Sequence, residues 1–423
     1  MMKRLSILLL TLLVLVGCDD KNTYVEQIAP EQTLLMYFPW SGNDSGSTGL
    51  LSHFLTNISD MEEAIRYNAP EGCRVLVYLV NPKKETGING ATNSYLEGSL
   101  YELRHHKGQV DSVGIASYRN PDMTEAEQIA RLLKDVQAYA PAPRYAMTIG
   151  CHGMAWIPSE RLKAKQQAQP LLAQPREKEY WEHEGVPQTR WFGGMDAEFQ
   201  TEIPTLAEAI RRAGMKMEYI LFDDCYMSSV EVAYELKDVT DYLIGSTSEI
   251  MAEGFPYFEM GACMLGDVDY EGICESFYQY YMEDGSMPCG TVAVTVCAEL
   301  ERLADVMKRI NAVSTELPKA VRDDLQVLDG YSPTRFYDMG DYVRHYCADE
   351  ALLAEFESQL EKTVPAAYRR HTPTFYSMSG GNIQDRPGET LIETFSGITT
   401  SDPSVAKAVV GVREDTAWWK ATH

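Results

Sequence analysis

The sequence predicts an α/β fold with a mostly parallel central sheet, and three observations carry that expectation. Short apolar runs rich in β-branched residues alternate with helix-like segments, the pattern of strands joined by crossovers. The clearest run, RVLVYLV from Arg74 to Val80, is continuous in apolar character, as a strand buried on both faces should be. The 423 residues and ordinary globular composition supply a core for one large domain or two ordinary ones.

The chain opens with Lys3 and Arg4, an apolar stretch from Leu5 to Val16, then Gly17 and Cys18. That stretch is short for a bilayer span and has the shape of a signal-peptide core. Leu15-Val16-Gly17-Cys18 resembles the lipobox of bacterial lipoproteins. The resemblance implies a signal peptide at 1–17, acylation of Cys18, and a polar tether at 18–30. Acyl chains would anchor the protein to the membrane of the cell envelope. Asp19-Asp20 resembles the export signal of some Gram-negative lipoproteins, so the expected location is the outer membrane, periplasmic or surface-exposed.

TLLMYF (Thr33 to Phe38) reads as the first strand, followed by a Gly/Ser/Asn turn and a helix from Leu50 to Tyr67. Thr124 to Ala138 reads as a helix with a Thr cap, early glutamates and a late lysine. YAMTIG (Tyr145 to Gly150) is a strand that runs straight into Cys151-His152-Gly153. From 158 to 190 the pattern gives way to polar sequence in which Arg161, Lys163, Lys165, Arg176 and Lys178 concentrate basic charge. This reads as an exposed insertion, a natural site for nicking. A helix at Ile203 to Ala213, the strand YILF, the helix-like VEVAYEL, and strands at Tyr242 to Ser246 and Thr291 to Val296 complete a core spanning 31–300. Helices dominate after that, with strands expected near Thr374 to Ser377 and Leu391 to Phe395; residues 301–423 read as an α+β extension packed on the core.

A formal net charge of −25 argues against nucleic acid as a partner. The nine cysteines contain no CxxC pair, so neither a disulfide framework nor a zinc ribbon is indicated. Cys151, His152 and Cys225 lack a fourth ligand, and no metal site is expected.

Two strands instead end in complementary chemistry: YAMTIG before Cys151-His152, and YILF before Asp223-Asp224-Cys225. In an open parallel sheet, ligands bind outside the carboxyl ends of the strands. If the two strands are neighbours, an imidazole and a thiol share one rim, the arrangement of a nucleophile and its base. Gly153 would let a substrate carbonyl approach a backbone N–H, as an oxyanion hole requires. Cys151 is the rival nucleophile, expected to point to the other face.

Five segments, in order, resemble the clostripain family of cysteine peptidases. They are CHGMAW (Cys151 to Trp156), RWFGGMDAEFQTEIPTLAEAI (Arg190 to Ile210), FDDCYMSSVEVAYEL (Phe222 to Leu236), YLIGSTSEIMAEGFPY (Tyr242 to Tyr257) and FSGITT (Phe395 to Thr400). The resemblance implies a caspase-like fold and endoproteolysis after arginine or lysine. It implies that His152 and Cys225 form the catalytic dyad, with backbone N–H groups of Gly153 and Cys225 as the oxyanion hole. Asp223 would lie at the base of the S1 pocket, with Glu249 or Glu253 as a further acid there. It also implies cleavage after Arg161, Lys163 or Lys165 during maturation, and calcium as a family cofactor. Asp224 departs from the family pattern and reads as an exposed acid or helix cap. Two alternatives to the basic-specific peptidase are a lipid-anchored binding protein without turnover and a caspase-like peptidase with a non-basic preference.

Overall fold

The computed structural model describes residues 30–42, 49–68, 70–87, 92–106, 108–158, 193–194, 199–283 and 287–423. The signal peptide, Cys18, and Arg161, Lys163 and Lys165 of the basic insertion lie outside the described residues.

A nine-stranded sheet organises the chain, in the order β10-β8-β7-β6-β5-β1-β2-β3-β4. Within it β1 (Gln32–Phe38) is flanked in parallel by β2 (Cys73–Thr86) and the central β5 (Arg144–Gly150). From β5 the parallel run continues through β6 (Met217–Asp223) to β7 (Thr240–Gly245). The strand order therefore reverses between β1 and β5, the kind of switch point at which open sheets form a crevice. Antiparallel additions complete both sides: β3 (Thr92–His106) and β4 (Gln109–Arg119) extend β2, while β8 (Thr291–Val296) and β10 (Arg369–His371) extend β7.

Strand alternation splits the core into two layers. From β1, Leu34, Met36 and Phe38 pack under α1 (Leu51–Asn68), α5 (Tyr257–Met264) and α6 (Tyr270–Glu283). Leu35 and Tyr37 face the opposite layer, which holds α2 (Ala126–Tyr139), α3 (Ile203–Ala213), α4 (Val230–Leu236) and α7 (Leu300–Val313). A three-layer α/β/α sandwich results, of the caspase-like class. The α2 cap differs from expectation. Thr124 does not cap it; its N–H and hydroxyl both donate to Asp122, and Glu125 occupies the cap position without a side-chain bond. The later strands are short: β9 (Tyr337–Asp338), β11 (Thr374–Tyr376), β12 (Glu389–Leu391) and β13 (Thr399–Thr400) form two small sheets, β11 with β12 and β9 with β13.

Candidate active site

The ends of β5 and β6, beside the switch point, carry the predicted residues to one rim. β5 and β6 pair in parallel with Gly150 opposite Asp223. His152 follows β5 by two residues and Cys225 follows β6 by two, so both loops leave the sheet at one level. The loops interlock. A Cβ on Gly153 would lie 2.4 Å from the Cys225 carbonyl oxygen and 2.8 Å from its nitrogen. The sequence reading tied the small residue to substrate approach. In the structure the packing of the two loops also requires glycine there, because a side chain would meet the Cys225 backbone and force the loops apart.

His152 is buried, with its ring centroid 5.1 Å from that of Trp40, which follows β1. Its backbone N–H donates to the Gly193 carbonyl at 3.1 Å. Cys225 is buried too, and the Ile250 N–H donates to its Sγ at 3.4 Å.

The two aspartates before Cys225 face different neighbours, as the pleat requires. Asp223 accepts the Phe255 N–H at 3.0 Å and the Tyr257 hydroxyl at 3.3 Å, both on the α5 side. Asp224 accepts the Cys151 N–H at 2.6 Å, and Cys151 Sγ lies 3.9 Å from its other oxygen. Asp224 is fully buried, so the expectation of an exposed acid or cap is corrected. It clamps the β5 loop to the β6 loop, and the cap of α4 is Ser229, which accepts the Val232 N–H.

Main-chain strain clusters here. Three non-glycine residues among those described have positive φ, and two are Ala155 (51°) and Tyr226 (64°), just beyond His152 and Cys225. Such geometry costs on the order of 1–3 kcal/mol and persists only where surroundings enforce it. For Tyr226 the enforcement is visible. Its N–H donates to Ser248, its hydroxyl donates to Glu249 at 2.6 Å, and its ring stacks on Phe336 at 5.0 Å.

Of the two expected pocket acids, Glu249 is buried and also accepts the Ser377 hydroxyl at 2.5 Å and the Met378 N–H at 3.2 Å. Glu253 is half-buried and lines a cleft of about 460 Å³ with His53, Glu63, Phe255 and Glu259. Its carbonyl accepts the Asn57 side chain at 3.0 Å. Among the described residues no group of three or more His, Cys, Asp or Glu is arranged to hold a metal ion.

Residues beyond 325 complete the surroundings. Ser401 donates its N–H to Glu231 of α4 at 2.7 Å, and its Oγ accepts the Trp156 indole N–H at 3.1 Å. Burial, reinforced by the charge of Asp402, pushes the Glu231 carboxyl up to about 7. Sequence reasoning missed Trp40, Tyr226 and Ser401 as site neighbours. Only Trp40 carried a usable signal, as another residue just past a strand end.

The Clostripain family profile matches residues 179–371, which contain Cys225 but not His152. Among solved structures, a secreted C11 cysteine protease from Bacteroides thetaiotaomicron is 47% identical, with a TM-score of 0.78 over 94% of this chain and 100% of its own. A clostripain from the same species, in complex with the peptide inhibitor BTN-VLTK-AOMK, is 56% identical over 55% of this chain and 99% of its own, with a TM-score of 0.51. An inactive zymogen C11 protease from Parabacteroides distasonis shares the fold at 24% identity, with a TM-score of 0.69 over 93% of this chain and 99% of its own. No match was found among curated protein sequences. With a relative this similar aligned along nearly its whole length, the chain belongs to the clostripain family and is a cysteine peptidase.

Proposed function

We propose that this peptidase cleaves peptide bonds after a basic residue, lysine or arginine, using Cys225 as nucleophile and His152 as base. The observation that carries the proposal is the interlock of the two strand-end loops, in which Gly153 abuts the backbone of Cys225. His152 takes the thiol proton and passes it to the leaving amine. The thiolate attacks the scissile carbonyl, and water then resolves the acyl-enzyme. Backbone N–H groups of Gly153 and Cys225 are the proposed oxyanion donors.

Asp223 is the proposed partner of the basic side chain, because its two described donors favour the ionised form that a cation requires. Glu253 is preferred over Glu249 as the second acid. Glu249 is engaged by Tyr226, Ser377 and Met378, whereas Glu253 lies two residues before Phe255, which holds Asp223. The lysine beside the reactive group in the relative's inhibitor supports a basic preference. Among the described residues no group of three or more His, Cys, Asp or Glu fits calcium. Maturation after Arg161, Lys163 or Lys165, and a lipid anchor at Cys18, belong to the same proposal. The anchor predicts recovery with membranes that is lost in Cys18→Ala.

The test is a fluorogenic panel with Arg, Lys, Asn, Asp or Ala at the cleaved position, under reducing conditions, with and without calcium. Arg or Lys should exceed the others by at least about 100-fold in kcat/KM. Cys225→Ala should be inactive and should keep its precursor band. Cleavage after Asn or Asp alone would remove the role given to Asp223, and identical bands from both forms would remove self-processing.

A further inference from the structure

A segment from beyond residue 325 reaches the rim of the candidate site. Tyr331 donates its hydroxyl to Met154 Sδ at 3.5 Å, two residues past His152. Its ring lies 5.9 Å from that of Tyr226, the neighbour of Cys225. Burial raises the Tyr331 phenol, and charge at Glu249 and at Cys225 raises it further, so the ring sits within electrostatic reach of both.

The turn holding Tyr331 is built around one buried acid. Asp329 accepts the backbone N–H groups of Tyr331 at 2.8 Å, Arg335 at 2.8 Å and Phe336 at 2.6 Å. Both ends of the turn are tied to a single carboxylate, and the Arg335 guanidinium lies 3.7 Å over the Tyr331 ring. Other arginines of the C-terminal third close on carboxylates, as Arg309 does with Glu355, Arg344 with Glu357, and Arg369 with Glu361. Arg335 does not. Among the described residues no carboxylate lies within the 4.0 Å ion-pair distance of its half-buried guanidinium. The acids closest in the network, Asp329 and Glu249, are engaged by other donors.

A guanidinium held flat on an aromatic ring loses little freedom on binding and presents its N–H edge for a two-pronged bond to a carboxylate. In a protein of net charge −25, a cation stacked on Tyr331, whose ring lies 5.9 Å from that of Tyr226, stands out from its surroundings. We propose that Arg335, carried on Tyr331, is a specificity-determining residue that takes an acidic side chain of the substrate close to the scissile bond. The preferred substrates are then mixed-charge segments, with a basic residue at the cleaved position and an Asp or Glu a few residues from it. This rests on the peptidase reading above.

The experiment uses amidated fluorogenic peptides cleaved after lysine, in pairs that differ only by Glu or Gln at one position, scanned on both sides of the lysine. At one position the wild type should favour Glu about 5- to 20-fold in kcat/KM, mainly through KM, and added salt should shrink the ratio. In Arg335→Gln the ratio should fall to about one. Arg335→Lys should keep part of it, because the charge survives and the planar stack does not. The proposal is overturned if no position favours Glu in the wild type, or if Arg335→Gln retains the preference. Should Arg335→Gln fail to fold, Arg335→Lys and the salt series of the wild type decide. Failure to cleave any of these lysine peptides, Gln set included, would overturn the proposed cleavage after lysine and this inference with it.

Discussion

The two flanks of the sheet hold their charges in different ways. On the β2–β4 flank, carboxylates meet arginine side chains: Glu102 of β3, itself buried, takes Arg74 at 2.7 Å and Arg104 at 2.8 Å. Arg119 pairs with Glu85, both about half exposed, and its guanidinium also stacks 3.9 Å over Tyr95. On the flank that bears the candidate site, buried carboxylates meet backbone N–H groups instead. Glu249 takes that of Met378, Glu231 that of Ser401, and Asp338 those of Ser396 and Asp341. Solvent screens a surface pair, which is worth about 1 kcal/mol or less. A buried carboxylate that satisfies backbone donors fixes where a loop runs, and removing it strands those donors in the core. The difference teaches that segments beyond 325 are fastened to the elements around Cys225 through backbone bonds to buried carboxylates, whereas the carboxylates of the other flank are held by side-chain cations.

The comparison is most directly broken at Glu249. Glu249→Ala leaves the Tyr226 and Ser377 hydroxyls and the Met378 N–H without this acceptor, and removes one of the three contacts that hold Tyr226 in its left-handed conformation. Denaturant unfolding should show a loss of about 3–5 kcal/mol, and kcat/KM should fall at least about tenfold. A loss below about 1 kcal/mol would place Glu249 with the surface pairs.

Glu231 sharpens the comparison through pH. Burial first, then Asp402, raises its folded pKa to about 7, above the ordinary carboxylate range of an unfolded chain. The stability this confers is therefore full below that ordinary range and is lost as pH rises through 7. Asp329, raised to about 7 chiefly by burial, acts in the same direction. Wild-type stability should decline between pH 5 and 8. Glu231→Gln, which cannot ionise, should lessen that decline by on the order of 1–3 kcal/mol, read from unfolding curves at each pH. Parallel curves for the two proteins would show that Glu231 does not titrate there.

The smallest effect is expected at Arg119→Ala. β4 lies four strands from β5, roughly 19 Å across the sheet. Stability should change by less than about 1 kcal/mol and kcat/KM should be unaltered. A larger change in either would mean that the β2–β4 flank is coupled to the site after all.

These contrasts explain what could be read from the sequence. β1, β2, β5 and β6 are buried on both faces and announce themselves as continuous apolar runs, so the rim bearing His152 and Cys225 was legible. β3 and β4 were not, because much of each is exposed and β4 has no fully buried residue to mark a core face. Asp224 was misread because local pattern offered only the next helix, whereas its partner Cys151 is 73 residues away. The partners of Glu249 and Glu231 at Ser377 and Ser401 lie 128 and 170 residues away, and nothing in a serine's neighbours marks it as a donor to so distant an acid.

One edge of the sheet bears on how copies of the chain meet one another. It ends in β10, only three residues long, with the sequence Arg-Arg-His. Arg369 and Arg370 are engaged with Glu361 and Glu275 beside the strand. An edge so short and so charged makes a poor template for a strand from a neighbouring molecule. The nine-stranded sheet can thus sit at high local density while resisting edge-to-edge growth on that side.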